Sequence, residues 1–133
     1  MKTKEQKQRE LQHLAEFIGN EIYYRYNPHL FPNLLLTDGV RFLAETAQCF
    51  WLLDTIALLQ KHPAICNHPQ LQQIQFWTLQ VDENESATLR CEQDTDEVVY
   101  QEKLEWTDFP LRIQRLWVCL ENKLVVIMLP TEY

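Results

Sequence analysis

The chain has 133 residues and a mass of 16.0 kDa, the size of one ordinary domain, and 46% of its residues are hydrophobic. This apolar fraction is sufficient for a packed core and excludes a disordered chain. Twelve basic residues against nineteen acidic ones give a net charge of −7, which argues against a general nucleic-acid binder because phosphate contacts need an excess of Lys and Arg.

No internal repeat or flexible linker divides the chain, so we expect a single domain over residues 1–133. No apolar run is long enough for a membrane span, and the charged N-terminus lacks the apolar core of a secretory signal. We therefore expect a cytoplasmic protein that does not bind membranes. Residues 1–19 predict a peripheral N-terminal helix, because their apolar side chains recur at helical spacing and Gly19-Asn20 is a typical stop.

The segment that follows, residues 21–33, is rich in aromatic side chains and contains two prolines. Pro28 and Pro32 forbid a continuous helix. We expect an ordered loop that lies over the core and includes one short extended piece.

The strongest local pattern predicts a long helix from about residue 38 to residue 61, roughly 36 Å in length at 1.5 Å per residue. Thr37 or Asp38 supplies the oxygen that caps its first-turn amides, and Pro63 sets its far limit. On a helical projection the apolar side chains fall into two arcs, so we expect a mostly buried helix that forms the spine of the fold. The first arc contains Val40, Leu43, Ala47, Phe50, Trp51 and Leu58, and the second contains Phe42, Cys49, Leu53 and Ile56.

From about residue 73 the hydrophobic period changes to two, which is typical of strands. The strand-like segments are QIQFWTLQV, ATLRCEQ, EVVYQEKLEW, RIQRLWVCL and KLVVIML. Short links that suit turns separate them. We therefore predict an α+β fold in which the helices pack on one face of a roughly five-stranded antiparallel meander.

Asp54 is the most unusual residue of the long helix, because it projects into the first apolar arc. A carboxylate there must be paired or strongly hydrogen-bonded, or else have a raised pKa. In a structural role it would bond to an Arg, a Trp N–H or loop amides, and Arg25 and His29 are candidate partners. In a functional role it would be a general base or metal ligand of a small metal-dependent hydrolase or nucleotide-acting enzyme, together with Asp38 or Asp108.

The other candidate sites are weaker. Asp38 and Asp108 each follow a threonine, and both pairs are typical of helix caps or turns. His62, Cys66 and His68 form an H-x3-C-x-H cluster, but a zinc site needs a fourth ligand and no second cluster supplies it. Only two glycines occur in the whole chain, which excludes a P-loop and a dinucleotide-binding fingerprint, and we expect no cofactor.

Negative charge is concentrated between residues 82 and 108, where ten acids against two bases give −8. An acidic strand face of this kind can be a solvated surface, or a docking surface where complementary potential speeds association with a basic partner. The candidate binding residues are Glu92, Asp94, Asp96, Glu97, Glu102, Glu105 and Trp106.

The blocks LTDGVRFLAETAQCFWLLDTIA, FWTLQV, EWTDFPL and LPTEY resemble a family of small bacterial proteins of unknown function. That family shares a TDG-V-x-x-LAE-x-A…WLLD-x-I block, a W-x-L strand, a TDFPL link and an ending like LPSEY. The resemblance covers roughly residues 34–133 and implies no reaction or ligand. It implies that the motif positions are Thr37, Asp38, Gly39, Glu45, Trp51, Asp54, Asp108 and Tyr133.

The absence of catalytic motifs and the segregated charge favour a non-enzymatic accessory or interaction protein, which we expect to be a homodimer. It would bind a protein partner, basic or nucleic-acid-handling, through the acidic strand face. One version of this function is an inhibitor carried by a mobile element, because acidic side chains can imitate phosphate in a basic groove.

Overall fold

The computed structural model describes residues 2–19 and 22–133, and within them the α+β class is confirmed. The helices are α1 (Lys4–Leu11), α2 (Asp38–Ala47), α3 (Phe50–Leu59) and α4 (Pro63–Cys66). The strands are β1 (Tyr23–Arg25), β2 (Leu34–Thr37), β3 (Ile74–Val81), β4 (Ala87–Asp94), β5 (Glu97–Leu104), β6 (Ile113–Glu121) and β7 (Leu124–Met128). In this described part of the chain, no helix combines the length and the apolar character that a membrane span requires.

The N-terminal helix packs against the rest of the domain. Leu11, at the end of α1, is buried in the core, and the Gln8 side chain donates a 2.7 Å hydrogen bond to the Pro110 carbonyl. A 3₁₀ turn continues from Gln12 to Glu16. The sequence predicted that this helix ends at Gly19-Asn20. Asn20 and residue 1 lie outside the described residues.

The single long helix predicted over residues 38–61 is wrong, because the chain forms α2 and α3 with a sharp break between them. Gln48 adopts the left-handed conformation (φ 54°, ψ 46°), and the N–H groups of Gln48 and Cys49 both donate to the Ala44 carbonyl. This is a common way to end a helix. The break brings the first arc of α2 and the second arc of α3 onto the same core, whereas a straight helix would bury only one arc. Leu58, the first-arc residue near the end of α3, is accordingly exposed.

The sheet also differs from the predicted five-stranded meander. All five predicted strand segments are present as β3 to β7, but the sheet has seven strands in the order β1-β2-β7-β6-β3-β4-β5. After β5 the chain returns so that β6 pairs with β3, which makes β3 to β6 a Greek key. Strand β2 adds in parallel to β7, so the sheet is mixed.

The link between β5 and β6 accounts for this return. Phe109 in the link is buried in the core, which draws the chain across the end of the β3–β4 hairpin. There the Thr107 N–H donates to the Glu85 carbonyl at 2.8 Å, and the Thr107 hydroxyl accepts from the Phe109 N–H at 3.1 Å. The Thr107-Asp108 pair therefore forms a turn, one of the two forms expected for it.

The helices cover one face of the sheet, and a buried polar network joins the two layers. Gln75 of β3 is fully buried, and it exchanges two 2.8 Å amide hydrogen bonds with Gln60, just after α3. Its side-chain oxygen also accepts from the Trp77 indole at 2.9 Å, and its amide donates to the Leu71 carbonyl at 2.9 Å. Because every polar atom of Gln75 has a partner, this network stabilises the core rather than straining it.

The C-terminal segment closes the fold at the start of α2. Glu132 is 2% exposed, and its carboxylate accepts hydrogen bonds from the Thr37 hydroxyl at 2.6 Å and from the N–H groups of Gly39 and Leu129 at 2.9 Å each. The positive end of the helix dipole adds to the stabilisation of this charge. A Cβ atom at position 39 would lie 2.5 Å from Leu129 Cδ1, so the close approach requires glycine.

We predict that both sides of this contact are needed for stability. Glu132→Gln keeps the volume but removes the charge that strengthens the hydrogen bonds, and we expect it to lower the free energy of unfolding by about 2 kcal/mol. Gly39→Ala introduces the clash with Leu129 and should lower it by about 2 kcal/mol as well. Urea denaturation measures both changes. Glu121→Gln, at an exposed position, is the control, and a Glu132→Gln variant as stable as this control would contradict the prediction.

Candidate functional site

The face of the sheet opposite the helices carries an open cavity of about 670 Å³. Strand alternation places every second residue of β3, β4 and β6 on this face, since their neighbours Trp77, Cys91 and Leu116 point into the core. The volume lies in the range of small-molecule sites. The outward residues that line it include Phe76, Thr78, Arg90, Glu92, Arg115 and Trp117.

Two arginines form the centre of the cavity. Thr78 of β3 is in register with Arg90 of β4 on one side and with Arg115 of β6 on the other. The Arg90 Nε donates to the Gln101 side chain at 3.2 Å. The Arg115 guanidinium has no hydrogen-bond or ion-pair partner among residues 2–19 and 22–133. In a chain of net charge −7, this row is a local positive centre.

An aromatic cluster lies beside the arginines. Phe76 is in register with Trp117, and the two rings meet edge to face with centroids 5.0 Å apart and an interplanar angle of 84°. The ring of Tyr133 also contacts Trp117, at 5.2 Å between centroids and an interplanar angle of 62°. These are favourable aromatic geometries, and they leave partly exposed ring surface on the cavity.

Sequence reasoning missed this arginine and aromatic cluster. The strand periodicity does place Arg115 and Trp117 on one face of β6. Their approach to Thr78 and Phe76 depends, however, on the pairing of β6 with β3, two strands that are not consecutive in the chain.

Four of the predicted acidic residues come together at the β4–β5 turn. Glu92, Asp94 and Asp96 line the rim of the cavity. Two of these carboxylates hold the turn, because Glu92 accepts from the Asp96 N–H at 2.9 Å and Asp94 accepts from the Thr95 N–H at 2.7 Å. Glu97 pairs with Asp94 in the ladder, so its carboxylate belongs to the same end of the hairpin.

The remaining acidic candidates lie elsewhere. Glu102 is in register with the buried Leu89, on the helix side of the sheet, and accepts a 3.2 Å hydrogen bond from the Tyr100 hydroxyl. Glu105 and Trp106 follow the opposite end of β5, where Trp106 is 64% exposed. The predicted acidic strand face is thus divided between two faces and two ends of the β4–β5 pair.

Asp54 is half-buried and bonds to a residue that the sequence analysis did not name. Its carboxylate accepts a 2.8 Å hydrogen bond from the Tyr26 hydroxyl, while the Arg25 guanidinium bonds to the Pro32 carbonyl. Burial, and then the hydrogen bond and charge of Asp54, raise the pKa of Tyr26 to about 12. The Tyr26 ring stacks on Phe50, so this pair ties the aromatic segment to the start of α3.

Asp38 and Asp108 are the carboxylates that the enzyme hypothesis pairs with Asp54, and each has a different environment. Asp38, in the first turn of α2, accepts a 3.1 Å hydrogen bond from the Tyr24 hydroxyl. Asp108 is exposed on the link before β6. No group of three or more His, Cys, Asp or Glu side chains within the described residues is placed to hold a metal ion.

The H-x3-C-x-H segment surrounds the short helix α4. His62 caps it, because its Nδ1 accepts from the Ala64 N–H at 3.1 Å, and its ring meets Tyr100 edge to face. The Cys66 thiol is exposed and points to the Lys61 carbonyl at 3.7 Å. His68 Nδ1 is buried without a hydrogen-bond partner in the described part of the chain. The structure therefore uses His62 for capping and packing.

Two of the cysteines, Cys49 and Cys91, are buried and have unreactive thiols. Burial raises the pKa of the Cys49 thiol and of the Cys91 thiol to about 12 in each case. A thiol with such a pKa is almost entirely protonated at neutral pH, and only the thiolate is a strong nucleophile. Cys66, by contrast, is exposed, and Cys119 is half-buried.

Comparison with known proteins identifies a family but no characterised relative. The model of a family of unknown function (DUF6876) matches residues 8–133. No curated protein and no solved structure matches the chain. The family match confirms the resemblance to a family of unknown function, and it begins upstream of residue 34, inside α1.

We predict that Asp54 adds to the effect of burial on the pKa of Tyr26. Asp54→Asn removes the charge and weakens the hydrogen bond, so the pKa of Tyr26 should fall from about 12 toward its ordinary value of 10.0. A raised pKa in the folded state means that this contribution to stability is complete below pH 10 and is lost as the pH rises toward 12. The ultraviolet absorbance of phenolate during alkaline titration measures the step. Asp38→Asn, which affects Tyr24, should leave it in place, and an unchanged step in Asp54→Asn would contradict the prediction.

Proposed function

Because the chain belongs to a family of unknown function (DUF6876), its function must follow from its own geometry, and we propose that it is a non-enzymatic accessory protein that binds a basic protein partner. The docking surface is the acidic edge, which we define as the β4–β5 turn together with the outer border of β5. Its charged and aromatic residues are Glu92, Asp94, Asp96, Glu97, Glu105 and Trp106.

Uncompensated charge is the observation that carries this proposal. No acid of the acidic edge forms an ion pair with a described residue, and the ion pair nearest in sequence joins Glu83 to Arg112. Charge that the fold leaves unneutralised attracts a partner of opposite sign and speeds its association. A protein whose basic groove handles nucleic acid fits this description, which is the version of the function that suits an inhibitor carried by a mobile element.

The position of the acidic edge also supports docking. Strand β5 is the last strand of the sheet, so a large partner can approach it without displacing another strand. Charged side chains on an edge strand also discourage pairing with a second sheet, which favours side-chain recognition over strand addition. Trp106, at the far end of β5, supplies the exposed aromatic side chain that often anchors an interface.

We infer further that the chain forms a homodimer through an apolar cleft between the loop before β2 and the end of α3. This cleft has a volume of about 250 Å³, and its lining includes Phe31, Pro32 and Ala57. Leu30 lies at the cleft and is 66% exposed. An apolar side chain in that position would be covered by the same surface of a second copy, as in a two-fold symmetric interface.

We predict that neutralising the acidic edge removes partner binding without unfolding the chain. The test variant carries Asp94→Asn, Asp96→Asn and Glu97→Gln. Asn suits position 96, where φ is 60°. The control variant, with the same change of charge elsewhere, carries Glu16→Gln, Glu45→Gln and Glu121→Gln.

Affinity for a protein captured from native cell lysate by the immobilised chain should fall roughly tenfold in the test variant and stay near wild type in the control. The salt dependence of binding should flatten in the test variant only, because it has lost the charges that salt screens. Equal capture by both variants would contradict the docking surface.

The dimer is tested separately. Wild-type protein should sediment at twice the chain mass, and Leu30→Asp should sediment as a monomer because it places a charge in the apolar cleft. Ile18→Asp alters a side chain that is more exposed than Leu30 and lies outside the cleft, so this variant should stay dimeric. A wild-type chain that sediments as a monomer at all concentrations would rule the dimer out.

A further inference from the structure

The centre of the open sheet face carries two guanidinium groups that form no ion pair with any residue the structure describes. Arg90 donates through Nε to Gln101, and neither its terminal N–H₂ groups nor the Arg115 guanidinium bond to any described residue. Glu92, two residues from Arg90 on the same face, instead accepts from the backbone of the β4–β5 turn. The two arginines flank Thr78 on the same face of the sheet, and an anion between them would be attracted by both charges.

The spacing of the two arginines suits a phosphate. Their strands lie on either side of β3, so their Cα atoms are roughly 10 Å apart at the usual strand spacing. Arginine side chains are long enough for both planar forks to meet a phosphate group above Thr78, whose hydroxyl is a further donor. Strand β3 is hydrogen-bonded on both sides, so the donors rest on a rigid frame.

The neighbouring rows supply the rest of a site. Phe76 and Trp117 lie two residues along the strands from the arginine row, on the order of 7 Å away, which is comparable to the separation of phosphate and base in a nucleotide. An aromatic side chain can stack on any base, because every base has a π-face. The rim carboxylates of Asp94 and Asp96 accept hydrogen bonds from hydroxyl or amino groups.

We propose that this cavity binds a nucleoside monophosphate, with its phosphate on Arg90 and Arg115 and its base against Trp117. The ribose hydroxyls and the amino group of the base then face the acidic rim. The same rim repels further phosphates, so the site selects a mononucleotide over a nucleic-acid chain. The cavity shares its rim residues Asp94 and Asp96 with the acidic edge, whereas its arginines lie outside that edge, so the arginine variants test the cavity alone.

Isothermal titration calorimetry with AMP as the probe tests the site. We expect saturable binding to the wild-type chain and a loss of roughly tenfold in affinity for Arg115→Gln, which removes one fork from the phosphate. Arg112→Gln is the control, because Arg112 is also exposed, just before β6, but lies outside the cavity. Arg115→Lys keeps the charge but not the fork, and it should recover only part of the affinity. Unchanged melting temperatures show that the exposed substitutions leave the fold intact.

Each alternative outcome overturns the proposal. Inorganic phosphate that binds as tightly as AMP would show an anion site without base recognition. Adenosine that binds as tightly as AMP would show that the arginines do not contribute to binding. Free phosphotyrosine that binds more tightly than AMP would indicate that the site recognises a phosphopeptide. No heat of binding with AMP at millimolar concentration would show that the arginine row is a solvated surface only. Capture of a partner by the acidic edge is measured separately, with variants that keep both arginines.

Discussion

The buried carboxylate of Glu132 is the contact on which the arrangement of the layers depends. It joins the end of β2, the start of α2 and the segment after β7, through Thr37, Gly39 and Leu129. Because β2 and β7 are adjacent parallel strands, their carboxyl ends and the helix N-terminus form the kind of place where α/β proteins bind anions. Here the chain's own carboxylate occupies it. A ligand at this place would have to displace that carboxylate, and the helices already cover the inner face of the sheet.

The open face is the other surface of the sheet, and the cavity on it is lined by two arginines and three acids. The alternation of strands places Arg90 and Arg115 at its centre, whereas the acids lie at the β4–β5 turn and the border of β5. A short-range positive site can thus exist inside a negative field. The field governs which macromolecules approach, and the arginine row governs which small anion can be held.

Local periodicity was sufficient to predict the strands from residue 73 onward, because their alternation reflects one buried face. It was insufficient for the long helix, since the break at Gln48 involves no glycine or proline, and two apolar arcs on one projection also fit a straight helix that is buried on most sides. The return of β6 to β3 depends on the burial of Phe109 in the link, which leaves no periodic signal. The cap at Thr37 was predictable from local chemistry. Its partner Glu132 was not, because the two meet only in the folded chain.

The sequence could also indicate which candidate residues are unusual, but their partners depend on the tertiary structure. Asp54 stood out because a carboxylate in an apolar arc needs a partner, and it has one. That partner is Tyr26 rather than Arg25, because alternation in the extended segment turns Tyr24 and Tyr26 toward the helices and Arg25 away from them. The acids that dominate residues 82–108 were read as one face, but the ladder puts Glu92 and Glu102 on opposite faces of the sheet. The alternation of side chains along a strand therefore separates acids that are close in sequence onto two faces. The pairing of strands brings Arg90 and Arg115, which are far apart in sequence, onto one face.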